Sequence, residues 1–134
     1  MKRLIYIFIL LLSFSQAHSQ VSLGFGSIEA ATETEITVDL LMDNSEVVKA
    51  IQLDFYFDPN LITYIGNPTV TGTRIEDGFT AAVNEIGEGR YRTLIYSPSN
   101  GEIAVGSGSV MKLTFETGIQ FGEFPIFLDR TQSN

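Results

Sequence analysis

The chain of 134 residues has no cysteine and no tryptophan, and its one histidine is His18. Each absence removes a class of chemistry. Without cysteine there is no disulfide framework, no thiolate nucleophile, no lipid attached through an N-terminal Cys, and no Cys-ligated zinc or iron–sulfur centre. Basic residues are scarce as well, with 8 Lys and Arg against 16 Asp and Glu, for a formal charge of −8. That balance argues against nucleic acid, whose phosphates are met by Lys and Arg, and against an anionic membrane surface. The acidic residues are dispersed rather than blocked, the pattern of a solvated surface.

Long apolar runs are confined to the N-terminus. Met1-Lys2-Arg3 is a short basic start, Leu4 to Leu12 is unbroken apolar, and Ser13 to Ser19 is mostly small and polar, with Ala17-His18-Ser19 as a small-x-small site before Gln20. This is the layout of a secretory signal peptide. A membrane anchor is the competing reading, but the run is well short of the roughly 20 residues that span a bilayer. The expectation is that residues 1–19 are removed and that residues 20–134 form the mature protein, secreted or held in the periplasm or at the cell surface, with no membrane insertion. Cutting 19 residues from 134 leaves 115, enough for one domain with one core. Loss of Lys2 and Arg3 takes the formal charge from −8 to −10. Loss of His18 leaves a mature chain with neither His nor Cys. The usual general bases, nucleophile pairs and zinc sites are then missing, so the expectation is no catalysis, no metal and no cofactor.

What is present is alternation. In Val47 to Asn60, residues Ile51, Leu53, Phe55 and Phe57 fall on one side and Gln52, Asp54 and Tyr56 on the other, the period of a pleated strand. Asp58-Pro59-Asn60 ends it, since proline cannot donate to a ladder and Asp and Asn favour turns. Glu35 to Asp43 alternates in the same way, with Ile36, Val38, Leu40 and Met42 inward, and so does Val110 to Thr117, with Met111, Leu113 and Phe115 inward. Val21 to Ile28, Phe79 to Glu85, Arg90 to Ser97 and Phe124 to Leu128 read as further strands, with a hairpin connection at Gly87-Glu88-Gly89. Gly66-Asn67-Pro68 reads as a turn, Thr69 to Thr73 as a short edge strand, and Gly106-Ser107-Gly108 as a break. No apolar period near 3.6 persists long enough for a helix. Many short strands between Gly, Pro and Asn turns predict an all-β, two-sheet antiparallel sandwich. Ile51, Leu53, Phe55, Phe57, Val38, Leu40, Leu113 and Phe115 are its expected core.

Four pieces, in order, resemble the cohesin domain, the receptor module of cellulosome-type assemblies. VSLGFGSIEAATETEITVDLLMDN is similar to that family's first strand, short acidic turn and second strand. AIQLDFYFDPNLITYIG is similar to its "G-F-x-F-x-L-x-Y-D-P-x-x-L" segment, with Ala50 and Ile51 at the Gly-Phe positions. GRYRTLIYSPSNGEIAVGSGSVMKLTF and GEFPIFLD are similar to its "G-R-I-R…I-x-x-G-x-G-x-L-x-x-L-x-F" and "G-x-x-P-I-x-L" stretches. Together they run from Val21 to about Asp129. The resemblance implies a flattened jelly-roll barrel. Family members usually continue one strand beyond the "P-I-x-L" strand, whereas only Arg130 to Asn134 follow here, so a sandwich lacking its last strand is expected.

The resemblance also implies a function: one sheet face receives a dockerin-type module, and calcium is carried by that partner. The outward residues of the two implicated strands are Gln52, Asp54 and Tyr56, and Arg92, Leu94 and Tyr96. They would place apolar bulk inside a polar rim, as protein interfaces do; taken singly, each is equally an ordinary surface residue. A second reading is carbohydrate binding, for which Tyr56, Tyr64, Tyr91 and Tyr96 are the available rings, without Trp and without the spacing of a flat row. A structural or adhesin role is the third. Carboxylate pairs could in principle hydrolyse glycosides, but Glu85 and Glu88 flank a tight turn and Glu76-Asp77 sits in a polar loop. Asp58 near Asp54 lacks a ligand-dense loop for calcium and is expected to cap its own turn.

Overall fold

The computed structural model describes residues 21–27, 29–120 and 122–129; the signal-peptide segment, with His18, lies outside them. Eight strands are present among these residues: β1 (Val21–Phe25), β2 (Glu35–Asn44), β3 (Ile51–Tyr56), β4 (Ile62–Thr69), β5 (Thr80–Gly87), β6 (Arg90–Tyr96), β7 (Gly106–Thr117) and β8 (Phe127–Asp129). They form two four-stranded antiparallel sheets, ordered β1-β2-β7-β4 and β5-β6-β3-β8. No helix among the described residues is long and apolar enough to cross a membrane. The predicted all-β sandwich is the observed fold.

The period of two decides what is buried. Val38, Leu40 and Met42 of β2, Ile51, Leu53 and Phe55 of β3 with Phe57 just beyond it, Ile95 of β6, and Met111, Leu113 and Phe115 of β7 close the space between the sheets. All eight residues expected in the core are there. Phe55 sits at its centre, with ring centroids 5.6 Å from Phe25, 6.4 Å from Phe57, 6.2 Å from Tyr64, 5.5 Å from Tyr91 and 6.5 Å from Phe115. These five partners come from β1, β4, β6, β7 and the end of β3. Each such pair adds about 0.5–1.5 kcal/mol beyond burial of its area.

Three local expectations are corrected. Gly66-Asn67-Pro68 is not a turn; it lies inside β4, where the register with β7 slips between Tyr64 and Gly66 and again between Gly66 and Thr69. Gly66 and Asn67 take positive φ (97° and 55°), so the residues that permit a turn here permit a bulged edge strand. The short edge strand expected over Thr69 to Thr73 is accordingly absent: β4 ends at Thr69, and the Val70 carbonyl accepts from the Thr73 backbone N–H in a turn. Gly106-Ser107-Gly108 does not break the chain but starts β7, paired with Asn44, Asp43 and Met42.

The glycines of β7 answer to Arg74. A Cβ on Gly106 would lie 3.1 Å from Arg74 Nη2, and one on Gly108 would lie 3.5 Å from its Cδ. The guanidinium lies over this bare backbone and donates to Asn44 Oδ1 (2.9 Å) and to the carbonyls of Met42 and Ala104. Buried Asn44 in turn donates to the carbonyls of Glu46 and Ala104. Arg74 thus ties the β4–β5 connection to the ends of β2 and β7. One residue of β7 is also extra: Leu40 faces Met111 and Leu41 faces Ser109, so Val110 is bulged, and both Val110 and Met111 are buried.

Two tests follow from the packing. Phe55→Ala should lower unfolding stability in urea by about 3–5 kcal/mol, the cost of deleting a fully buried aromatic; a loss under about 1 kcal/mol would remove Phe55 from the centre of the core. Tyr64 has a buried hydroxyl with no hydrogen-bond partner among the described residues. Burial, together with neighbouring Tyr91, pushes its ionisation up from 10.0 to about 12. The unfolded chain therefore gives up this proton first, and stability falls as pH rises from 10 toward 12. Tyr64→Phe should remove that alkaline slope and, by deleting an unsatisfied hydroxyl, raise stability at neutral pH by up to about 1 kcal/mol; an unchanged slope would show that another group titrates.

Candidate functional site

Because β3 buries Ile51, Leu53 and Phe55, its other residues must face out of the sheet. β3 lies between β6 and β8, and the antiparallel register puts Gln52 opposite Leu94, Asp54 opposite both Arg92 and Asp129, and Tyr56 opposite both Arg90 and Phe127. Beyond β6, Tyr96, Leu94 and Arg92 face Thr80, Ala82 and Asn84 of β5. All six residues predicted to bind a partner, Gln52, Asp54, Tyr56, Arg92, Leu94 and Tyr96, therefore lie together on the outer face of one sheet.

At the centre of that face Arg92 meets Asp54 side by side. Arg92 Nε donates to Asp54 Oδ1 at 2.8 Å and Nη2 to Oδ2 at 2.9 Å, the two-pronged geometry that guanidinium and carboxylate favour. The Asp54 side chain is the covered partner, 11% exposed, and that of Arg92 the open one at 42%. The hydrogen bond from Arg92 holds the Asp54 carboxyl below its ordinary range, against the opposing effect of burial, with the positive charge of Arg92 adding to the lowering. The same bond raises Arg92.

Apolar groups flank the pair. On one side Leu94 and Tyr96 are 40% and 38% exposed; on the other, Phe127 is 46% exposed and stacks on Tyr56 with centroids 5.1 Å apart. Arg90 lies 5.1 Å over the Tyr56 ring and 3.8 Å from Asp129 Oδ2. Arg90, Phe127 and Asp129 were not anticipated as part of the site. The alternation of β6 already aims Arg90 outward, so that residue was readable. Phe127 and Asp129 were not, because only the pairing of the three-residue strand β8 with β3 brings them here.

Other candidate groups go elsewhere. Tyr64 and Tyr91 are turned into the core, 4.7 Å apart, which removes two of the four rings considered for a sugar platform. Asp58 Oδ1 accepts from the Asn60 backbone N–H (2.9 Å) and from Asn60 Nδ2 (3.1 Å), capping its own turn. Glu76 accepts from the Gly72 N–H within its loop (2.8 Å). Among the described residues no group of three His, Cys, Asp or Glu could hold a metal ion.

Neither a protein-family model nor a curated protein sequence matches the chain. Solved structures do. The cohesin CaCohA2 of Clostridium acetobutylicum superposes with a TM-score of 0.69 at 20% identity, over 83% of this chain and 82% of that one. A type I cohesin–dockerin complex of Clostridium thermocellum gives 0.66 at 14% identity, over 81% of each chain. A non-cellulosomal cohesin of the hyperthermophilic archaeon Archaeoglobus fulgidus gives 0.65 at 20% identity, over 83% of this chain and 75% of that one. The two sheets thus form the cohesin fold, as the four sequence pieces imply.

The ion pair sets a pH dependence. A carboxyl whose folded-state value lies below its unfolded one stabilises the fold above the unfolded value, near 3.8, and loses that effect as pH falls through the folded one. The stability gap between the wild type and Asp54→Asn should be constant from pH 7 to about pH 5 and close at lower pH. Urea midpoints across that range measure it; a gap that widens on acidification would overturn the assignment.

Proposed function

We propose that this chain is a non-catalytic, secreted cohesin module that receives a dockerin-type protein on the outer face of the β5-β6-β3-β8 sheet. The partner carries the calcium, and the setting is a polysaccharide-degrading or cell-surface assembly. The observation that carries the reading is positional. Gln52, Asp54, Tyr56, Arg92, Leu94 and Tyr96 are drawn from two strands about 40 residues apart in sequence, and β3–β6 pairing makes them one continuous surface. Its make-up, apolar groups beside a fixed ion pair, is that of a recognition face. Several solved structures of this fold are complexes with dockerins.

The sheet face suits such a role physically. Its backbone is held in ladders on both sides of β3, so the outward side chains start from fixed positions and little conformational entropy is lost on docking. A mature chain with neither His nor Cys supports a binding rather than a catalytic role, and the basic–apolar–small N-terminus supports export.

The test presents the immobilised mature chain with a panel of recombinant dockerin modules, first in calcium and then in chelator, and separately with insoluble polysaccharides. Capture of a dockerin in calcium, its release by chelator, and at least tenfold weaker binding by Leu94→Asp are the expected results. Depletion of the chain by polysaccharide with no dockerin captured would replace this reading with carbohydrate binding.

A further inference from the structure

The charges on the recognition face cancel within it. Outward-facing Arg90 and Arg92 are matched by Asp54 and Asp129, while β5 contributes only Thr80, Ala82 and Asn84. The opposite sheet differs: Glu35, Asp39, Asp43 and Glu116 point outward from β2 and β7 against the single Lys112, which lies 3.5 Å from Asp39. The excess negative charge of a chain at −8 thus sits away from the β5-β6-β3-β8 face, which is neutral. On that face the exposed bulk forms two separate islands, Leu94 with Tyr96 and Tyr56 with Phe127, and the Asp54–Arg92 pair lies between them.

We propose that recognition on this face runs through these two apolar anchor points, with Phe127 a specificity-determining residue. The partner it fits is a protein surface presenting two apolar side chains and no net charge of its own to neutralise. Leu94 stands opposite Gln52 and Phe127 opposite Tyr56, four residues further along β3 and two strands across, so strand rise and strand spacing set the anchors about 16 Å apart. Two contacts at that separation, with a rigid polar element between them, fix the orientation of a partner as well as its position. A charged group brought over the centre would meet an Arg and an Asp already committed to each other, and would have to break a two-pronged pair to gain a new one. This inference rests on the proposed dockerin-receptor role for the partner's identity, but not for the character of the face.

Two arms keep the inference and that role distinguishable. In the first, the mature chain alone is titrated with the fluorescent apolar probe 8-anilinonaphthalene-1-sulfonate. Leu94→Asp and Phe127→Asp should each remove part of the signal and the double variant most of it, while Leu41→Asp on the opposite sheet leaves the recognition-face signal in place. Equal signals from wild type and double variant would overturn the two-anchor face. The second arm uses the calcium-loaded recombinant dockerin that binds most tightly in the panel. Its affinity should change less than threefold between 50 and 500 mM NaCl, and Leu94→Asp and Phe127→Asp should each weaken it at least tenfold. A tenfold or greater loss with salt, or a Phe127→Asp variant that binds like wild type, would overturn the inference and leave the dockerin-receptor role standing. If no dockerin binds, that role falls, and the first arm alone decides the character of the face.

Discussion

The structure depends on Phe55. One ring in the middle strand of one sheet touches aromatic rings from four other strands and from the residue that follows its own, so it fixes the spacing of the two sheets and their lateral offset together. Tyr91 and Phe57 stack on each other at 5.6 Å with planes 7° apart, and Phe115 meets Phe57 edge-on at 5.3 Å. Rings packed this way have few alternative arrangements, which matters in a chain without disulfides. The cost is visible in the same place: Tyr64 and Thr93 bring hydroxyl groups into the interior that find no partner among the described residues. The cluster tolerates them because their carbon frameworks fill space that the neighbouring rings leave.

β3 shows how core and site are one construction. Its even-numbered residues cannot be placed independently of its odd-numbered ones, because a shift of one residue would exchange Phe55 for Asp54 in the core. Burial of Ile51, Leu53 and Phe55 is therefore what holds Gln52, Asp54 and Tyr56 in register with Leu94, Arg92 and Arg90. The Asp54–Arg92 pair reports the same register from the outside. Gly89 guards it at one end: its φ is +66°, and a Cβ there would lie 2.5 Å from the Phe57 carbonyl oxygen, so the β5–β6 hairpin can close against the end of β3 only with glycine at this position.

Much of this was legible in the sequence, for a physical reason. Strict alternation over β2, β3 and β7 identified both faces of each strand, and with them the whole expected core and all six outward residues of the site. What was misread has a reason too. Glycine and proline mark any departure from regular backbone, and a bulge inside β4 or a bare stretch of β7 under Arg74 carries the same signature as a turn. Tyr91 was readable as inward, since the alternation that turns Arg92 and Leu94 out turns it in with Thr93 and Ile95. Phe127 and Asp129 were not readable, because a three-residue strand has too short a pattern to declare its neighbour, and its pairing is decided by the tertiary structure.

The order of strands across the recognition sheet has a further consequence. Neighbours in that sheet come from residues 51–56, 80–96 and 127–129, so no local segment of the chain carries the face by itself. The surface exists only once the end of the described chain has returned to β3, and it is lost when any of these pieces leaves. A partner bound there is bound to the native state alone. By mass action its occupancy stabilises the entire domain, in proportion to the logarithm of its free concentration over its dissociation constant. Partner availability and resistance to unfolding are thus one linked equilibrium in this molecule.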